Sequence, residues 1–448
     1  MDLSFCRTPS PSSPHGSDPR PPGAAPTPRQ GGSASRPSKS HAPAVSSRIR
    51  NKHLTQRQLC IMIAVESAKA GAFQTHPTKE ACSMKRRDFL KLSAAAALTG
   101  AAGACGAAPA ASASSTPATS PASSPTGPAS SAAPAGAASL TTNEGDAIPL
   151  EALEHLTRDA GAPSVYFTRE ISAAALVRAY EALGWTPSGR VAVKLSTGEP
   201  PASNYLRPEL VGDLVRQLDG TIVECNTAYG GARSSTQEHY QVAQEHGFTG
   251  IAAVQIQDEN GSMTLPVEGG ARLQENYVGA AFADYDDYVV LSHFKGHAMA
   301  GYGGAIKNIS IGLGSREGKS WIHSGGTGGS MWSGEQDAFL EAMGDAGKSV
   351  SDALGHGARI VYLNVMNRLS VDCDCNGNPA EPEMADIGIL ASTDPVALDQ
   401  ACIDLVYAAP GHEALTHRIE SRNGIHTLES AEAIGLGSRA YRLELLDV

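Results

Sequence analysis

The run Tyr288-Val-Val-Leu-Ser-His-Phe-Lys-Gly-His-Ala-Met-Ala-Gly-Tyr-Gly-Gly-Ala-Ile-Lys-Asn308 changes character after five residues. Tyr288 to Ser292 read as an apolar strand. The 16 residues from His293 onward hold two histidines, two lysines and four glycines. A buried strand has little use for glycine or charge. A loop that brings its backbone up to a ligand uses both. In an α/β sheet such loops lie at the carboxyl ends of strands, so this run predicts a sheet of that kind with a site at its edge.

The flanking sequence agrees. Apolar residues of Ile171–Gly184 recur at helical spacing, and Arg190–Leu195 reads as a buried strand. Pro208–Leu218 is predicted as a helix, Gly220–Cys225 as a strand and Thr236–Gly247 as a helix closed by glycine. Glu335–Leu354 is a helix, Ala358–Val365 and Asp386–Ala391 are strands, and Asp394-Pro395 opens a last helix to Tyr407. Alternation of apolar strands and helices predicts an α/β fold, a mostly parallel sheet with helices on both faces, in a single large domain or two lobes over residues 140–448.

Four polar clusters fall on this frame. In the opening loop, His293, His297 and Lys307 are candidate catalytic residues, with the histidines as metal ligands or acid–base groups. Gly303 and Gly304 would expose main-chain N–H groups to an anion, and Asn308 stands beside them. Gly312–Lys319, with Trp321 and His323, could close over the same place. Glu224–Arg233 follows a strand, and its Asn226 and Arg233 are candidate ligand contacts, Arg233 as a two-pronged clamp on a carboxylate or phosphate. In Asp372-Cys-Asp-Cys375, an extended backbone puts Cys373 and Cys375 on one side. The pair suits a metal ion or an iron–sulfur cluster, with free thiols or a redox disulfide as alternatives. Asp394 reads as a helix cap, while Asp399 could face a site.

The amino-terminal third is different. Residues 1–83 show no sustained apolar period and are expected to be a non-native or disordered leader. Lys85-Arg86-Arg87-Asp88-Phe89-Leu90 before a short Ala/Leu stretch reads as a twin-arginine signal over 84–105, which makes Met84 the expected start. Cys105 is a possible lipid anchor, and the Ala/Ser/Pro-rich segment 106–139 a flexible tether. Residues 1–139 carry 15 Lys and Arg against 5 Asp and Glu, whereas 140–448 carry 20 against 41, a net charge of −21. Such a body repels nucleic acid. Its four cysteines, Cys225, Cys373, Cys375 and Cys402, are too few for a disulfide scaffold.

Asn226–Arg233 with His239, Ser292–Gly314, Asp372–Cys375, Asp386–Asp399 and Glu432–Gly437 together resemble the domain-of-unknown-function family numbered 362, often labelled iron–sulfur proteins. The resemblance covers the body from about Val191 to the end and implies a redox or iron–sulfur role. A shorter likeness links Ala300–Lys307 to nickel-pincer lactate racemases. It implies Lys307 as a cofactor anchor and His293 or His297 as a ligand or acid–base group. The expectation is an exported protein at the periplasm or cell surface, carried by the twin-arginine machinery. It binds a metal ion or iron–sulfur cluster and performs redox or proton-transfer chemistry on a small anionic molecule. A non-catalytic solute- or cofactor-binding lipoprotein is the alternative.

Overall fold

In the computed structural model, which describes residues 139–332 and 334–447, eight strands form one sheet. A hairpin of β1 (Ser139–Thr141) and β2 (Ala147–Pro149) precedes it. The strands then run β3 (Ser164–Thr168), β4 (Val191–Lys194), β5 (Thr221–Glu224) and β6 (Val254–Ile256). A second hairpin, β7 (Ser262–Pro266) and β8 (Glu275–Gly279), leads to β9 (Asp287–His293). A small hairpin, β10 (Lys295–His297) and β11 (Gly301–Gly303), follows β9. The remaining strands are β12 (Ile360–Met366), β13 (Gly388–Ser392) and β14 (Arg442–Leu445). The sheet order is β14-β3-β13-β12-β9-β4-β5-β6.

The helices among the described residues are α1 (Ala173–Ala182), α2 (Pro208–Gln217), α3 (Thr236–Glu245), α4 (Ala305–Ser310), α5 (Arg316–His323), α6 (Gln336–Ala353), α7 (Pro395–Ala408), α8 (Glu413–Glu420) and α9 (His426–Ala433). Neighbours β12, β9, β4, β5 and β6 are all parallel. Only β13 runs antiparallel to both of its partners, β12 and β3. Residues 367–387 join β12 to β13 with no helix, so the chain turns back instead of crossing over.

Both faces of the sheet are covered, which explains the continuous apolar strands. Along β9, Tyr288 and Val290 point into one core while Val289 and Leu291 point into the other. The second core receives Leu176 and Ala179 of α1 and Val211, Leu214 and Val215 of α2. The first receives Ile306 and Ile309 of α4 and the apolar face of α7. Caps set the helix starts: Ser172 accepts from Ala175 N at 3.1 Å, and Asp394 accepts from Val396 and Ala397 N at 2.8 and 2.9 Å. Asp394 is thus the cap that the sequence indicates.

The expected leader, twin-arginine signal and Cys105 anchor lie outside the described residues, as does the tether except for Ser139, which already belongs to β1. Among the described residues no helix is long and apolar enough to cross a membrane.

A candidate active site at the strand ends

The carboxyl ends of the parallel strands β4, β5 and β9 converge on a cavity of about 520 Å³. Lys194 and Ser196 reach it from β4, Glu224 and Cys225 from β5, and Ser292 and His293 from β9. The β10–β11 hairpin forms another wall, with Lys295 opposite Gly303 and His297 opposite Gly301. Gly296 lets this hairpin lie against the segment that carries the cysteines: a Cβ there would come within 2.3 Å of the Val371 carbonyl oxygen. Asn308 ties α4 to β9 by donating to Leu291 O at 3.1 Å and Ser292 Oγ at 3.0 Å.

Three histidines line the cavity, and their partners assign them different work. His293 Nδ1 faces Asp374 Oδ1 at 2.7 Å and Nε2 faces Asn367 O at 2.6 Å. Both ring nitrogens are thus taken up by protein groups, which occupy the directions a metal or a substrate would need. The expectation that His293 is a ligand or acid–base group is therefore corrected: it positions Asp374. His297 Nδ1 accepts from the backbone N–H of Ala300 at 3.0 Å and Met299 at 3.3 Å, so Nε2 carries the ring proton. Burial, then the neighbouring Lys307 and His323, hold His297 well below its ordinary range, so it is neutral. His323 has the opposite tautomer. Its Nδ1 donates to Lys319 O at 2.6 Å, which leaves the Nε2 lone pair free; burial lowers it to about 4. The cavity thus holds one neutral imidazole with its lone pair engaged and one with its lone pair available.

The cationic groups are more numerous than the acids that answer them. Lys295 donates to Asp374 Oδ2 at 3.0 Å and to His293 O at 2.7 Å. Burial opposes ionisation of Asp374, but Lys295 and His293 outweigh it and hold the carboxyl well below the usual range. Lys194 donates only to Leu195 O at 2.6 Å, and Lys319 to Gly314 O at 2.5 Å and Cys225 O at 3.5 Å. The Lys307 ammonium makes no hydrogen bond among the described residues. None of Lys194, Lys307 and Lys319 has a carboxylate partner there. Burial lowers Lys194 to about 8; burial and the adjacent Lys295 lower Lys307 to about 7. In both cases burial dominates, and the nearest carboxylates, Glu224 for Lys194 and Asp374 for Lys307, offset it only in part.

Several expected ligand contacts have other roles. Gly303 does line the cavity, but the anion at the start of α4 is part of the protein. Asp399 accepts from Ala305 N at 2.7 Å, Ile306 N at 3.0 Å and Asn364 Nδ2 at 2.7 Å. Gly304 makes room for it, since a Cβ would fall 2.3 Å from Asp399 Oδ1. Asp399, expected at a site, is buried in this cap, where desolvation raises it to about 6. Arg233 lines the cavity but is already paired, with Glu199 Oε2 at 3.0 Å and Glu224 Oε1 at 3.3 Å. Its charge is spent holding β4 and β5 together rather than clamping a ligand. Asn226 does not line the cavity: its Nδ2 donates to Thr236 Oγ1 at 2.9 Å and its Oδ1 faces His239 Nδ1 at 3.3 Å. His239 in turn meets Glu224 Oε2 at 2.8 Å.

Cys373 and Cys375 form a disulfide on the cavity wall. In this form neither sulfur is a thiolate ligand; of the alternatives to a metal site, the structure holds a disulfide and not free thiols. The two sulfurs and a ring nitrogen of His297 nevertheless lie within 4.8 Å of one another, a group that could hold a metal ion once the disulfide is reduced. The free Nε2 of His297 would have to lose its proton to join them. A four-thiolate cluster finds no ligand set among the described residues. Cys225 donates to Leu313 O at 3.3 Å and is pushed up to about 12 by burial, and Cys402 faces Asn364 inside α7.

The family described as Domain of unknown function (DUF362) matches residues 191–404. Over that stretch the chain is similar to the family. The matched stretch contains every cavity residue named above. Among solved structures, the lactate racemase apoprotein from Thermoanaerobacterium thermosaccharolyticum is 13% identical, with a TM-score of 0.34 over 59% of this chain and 61% of its own. A protein from Thermotoga maritima is 12% identical, with a TM-score of 0.30 over 58% of each chain. The chain thus spans about three fifths of these structures. No curated protein matches it.

Proposed function

We propose that this DUF362 chain is an enzyme that binds a small anionic molecule in the strand-end cavity and moves a proton at it. The single observation that carries the reading is the set of three lysines, Lys194, Lys307 and Lys319, that share one cavity with no carboxylate partner among the described residues. An acidic body that gathers unpaired ammonium groups is built to receive an anion. The two neutral histidines supply the chemistry. His323 Nε2 can accept a proton from the bound molecule, and His297 Nε2–H can hydrogen-bond developing negative charge.

The His297, Cys373 and Cys375 group extends the reading to metal-dependent chemistry in the reduced protein, where an ion would act as a Lewis acid beside the bound anion. A disulfide in the cavity wall suits an oxidising compartment. That supports export through the Arg86-Arg87 signal, with Cys105 and residues 106–139 as a possible lipid-linked tether.

The test is a thermal-shift panel of small carboxylates, phosphates and sulfonates beside neutral isosteres. The anions that raise the melting temperature are then incubated in D2O with the protein. Anions should stabilise where the isosteres do not, and one class should exchange a carbon-bound proton. His323→Ala should bind the same anions without exchange. A panel in which no anion stabilises the protein removes the proposal, and binding without exchange reduces it to a receptor for anions.

A further inference from the structure

The cysteine pair sits where a bound anion would meet it. Asp374 stands between the two cysteines, and Lys295 Nζ is 3.0 Å from its Oδ2. A Cβ on Gly303 would lie 3.6 Å from Lys307 Cδ and 4.0 Å from Lys295 Cε, so both lysine stems pass the same glycine. Lys307, unpaired among the described residues, is therefore one residue contact away from the Asp374 segment. Lys295 is ion-paired with Asp374, so the carboxylate does not shield the disulfide from an incoming anion. Cys373 is buried and Cys375 is half-buried, so Cys375 is the more exposed partner of the pair.

We propose that the disulfide is a reaction centre for thiol–disulfide exchange with small anionic thiols, the anion being held by Lys307. The inference rests on the anion-binding reading above and names a substrate class for that site. The balance is simple. The thiolate sulfur of the bound molecule attacks Cys375 Sγ, and the Cys373–Cys375 bond breaks with its electron pair on Cys373. The products are a mixed disulfide on Cys375 and a Cys373 thiolate. A second molecule of the thiolate attacks the mixed disulfide at the sulfur of the first. It releases the small-molecule disulfide and leaves both cysteines reduced, their protons supplied by solvent. The protein has gained two electrons and the two thiols have lost them. The reverse sequence, from dithiol and small-molecule disulfide, restores the structure described here. The reduced form is also the one in which both sulfurs become available to a metal beside His297.

The experiment treats the full chain, purified in air, with 2-mercaptoethanesulfonate or with the neutral 2-mercaptoethanol at equal thiolate concentration. Loss of the disulfide and appearance of the mixed disulfide are followed by intact-protein mass spectrometry. The sulfonate should react about 10-fold faster or more, the advantage a cationic cleft gives an anion. Lys307→Met should remove that preference, bringing the two rates together. Ethanesulfonate, which has no thiol, should compete with the first reagent and not the second. That competition tests the claim in the wild-type protein should the variant fold poorly. Equal rates for the two thiols, or a preference that survives Lys307→Met, overturn the proposal. If ethanesulfonate binds in a Lys307-dependent way while the thiols react equally, exchange is refuted and anion binding stands. If ethanesulfonate neither binds nor competes, the exchange proposal falls, and the anion panel above decides the binding reading.

Discussion

Replacing Lys307 by Met separates binding from folding more sharply than any other change. The ammonium makes no hydrogen bond or ion pair among the described residues, and its Cδ lies 3.6 Å from where a Cβ on Gly303 would stand. Met keeps most of that stem and discards the charge. A hydrogen bond to a charged group contributes about 1.5–3 kcal/mol, so anion affinity should fall about 10- to 150-fold. Stability should move the other way. Burial and the adjacent Lys295 hold Lys307 at about 7, below its ordinary 10.5. Between those values the folded chain binds fewer protons than the unfolded one. The term opposing folding is therefore fully present below about pH 7 and is relieved as pH rises toward 10.5. Lys307→Met should be at least as stable as the wild type at pH 6, and the wild type should gain on it between pH 7 and 9. Urea unfolding at several pH values beside calorimetric titration reads both effects. A variant that binds anions normally, or that is several kcal/mol less stable at pH 6, would refute the assignment of Lys307 as an unpaired anion-binding cation.

Three other outcomes follow from named contacts. Arg233→Met strands Glu199 and Glu224 without their shared cation; it should cost about 3–5 kcal/mol in urea unfolding, so that lost stability rather than a selective binding defect is the signature. Gly304→Ala drives a Cβ into Asp399 and should cost about 2–4 kcal/mol. That penalty should shrink in an Asp399→Ala background, where the clash is gone, and an unchanged penalty would assign Gly304 to some other constraint. Replacing both Arg86 and Arg87 with Lys should leave the precursor in the cytoplasm, as fractionation would show, because the pair is read by a receptor rather than as charge; normal export would discard the signal.

The regular elements were legible because their signals are local. Pro208 and Asp394-Pro395 fixed two helix starts, and the expected strands Arg190–Leu195, Gly220–Cys225 and Ala358–Val365 fall within two residues of β4, β5 and β12. The short helix α4 was not legible, since it begins on two glycines and is capped by Asp399 from a helix far along the chain. The cavity was half legible. Polar density marked its loops, yet it could not distinguish Lys307, which is unpaired, from Arg233, whose partners Glu199 and Glu224 come from other strands and loops. His293 and His297 look alike in sequence, and only their partners show that one is committed to Asp374. One available signal went unread. Lys194 ends an otherwise apolar strand, Val191-Ala-Val-Lys194, and a lysine inside such a run is either paired or waiting for an anion.

The central claim is that an anion enters the cavity and is held by an ammonium that burial has weakened. Calorimetric titration of an anion from the thermal-shift panel, at pH 8 in buffers of different ionisation enthalpy, tests it most directly. Free Lys307, lowered to about 7, is largely neutral at that pH, and a bound anion favours its charged form. The account predicts proton uptake on binding in the wild type and a marked loss of that uptake in Lys307→Met. Binding without proton uptake, or uptake that persists in the variant, would contradict it.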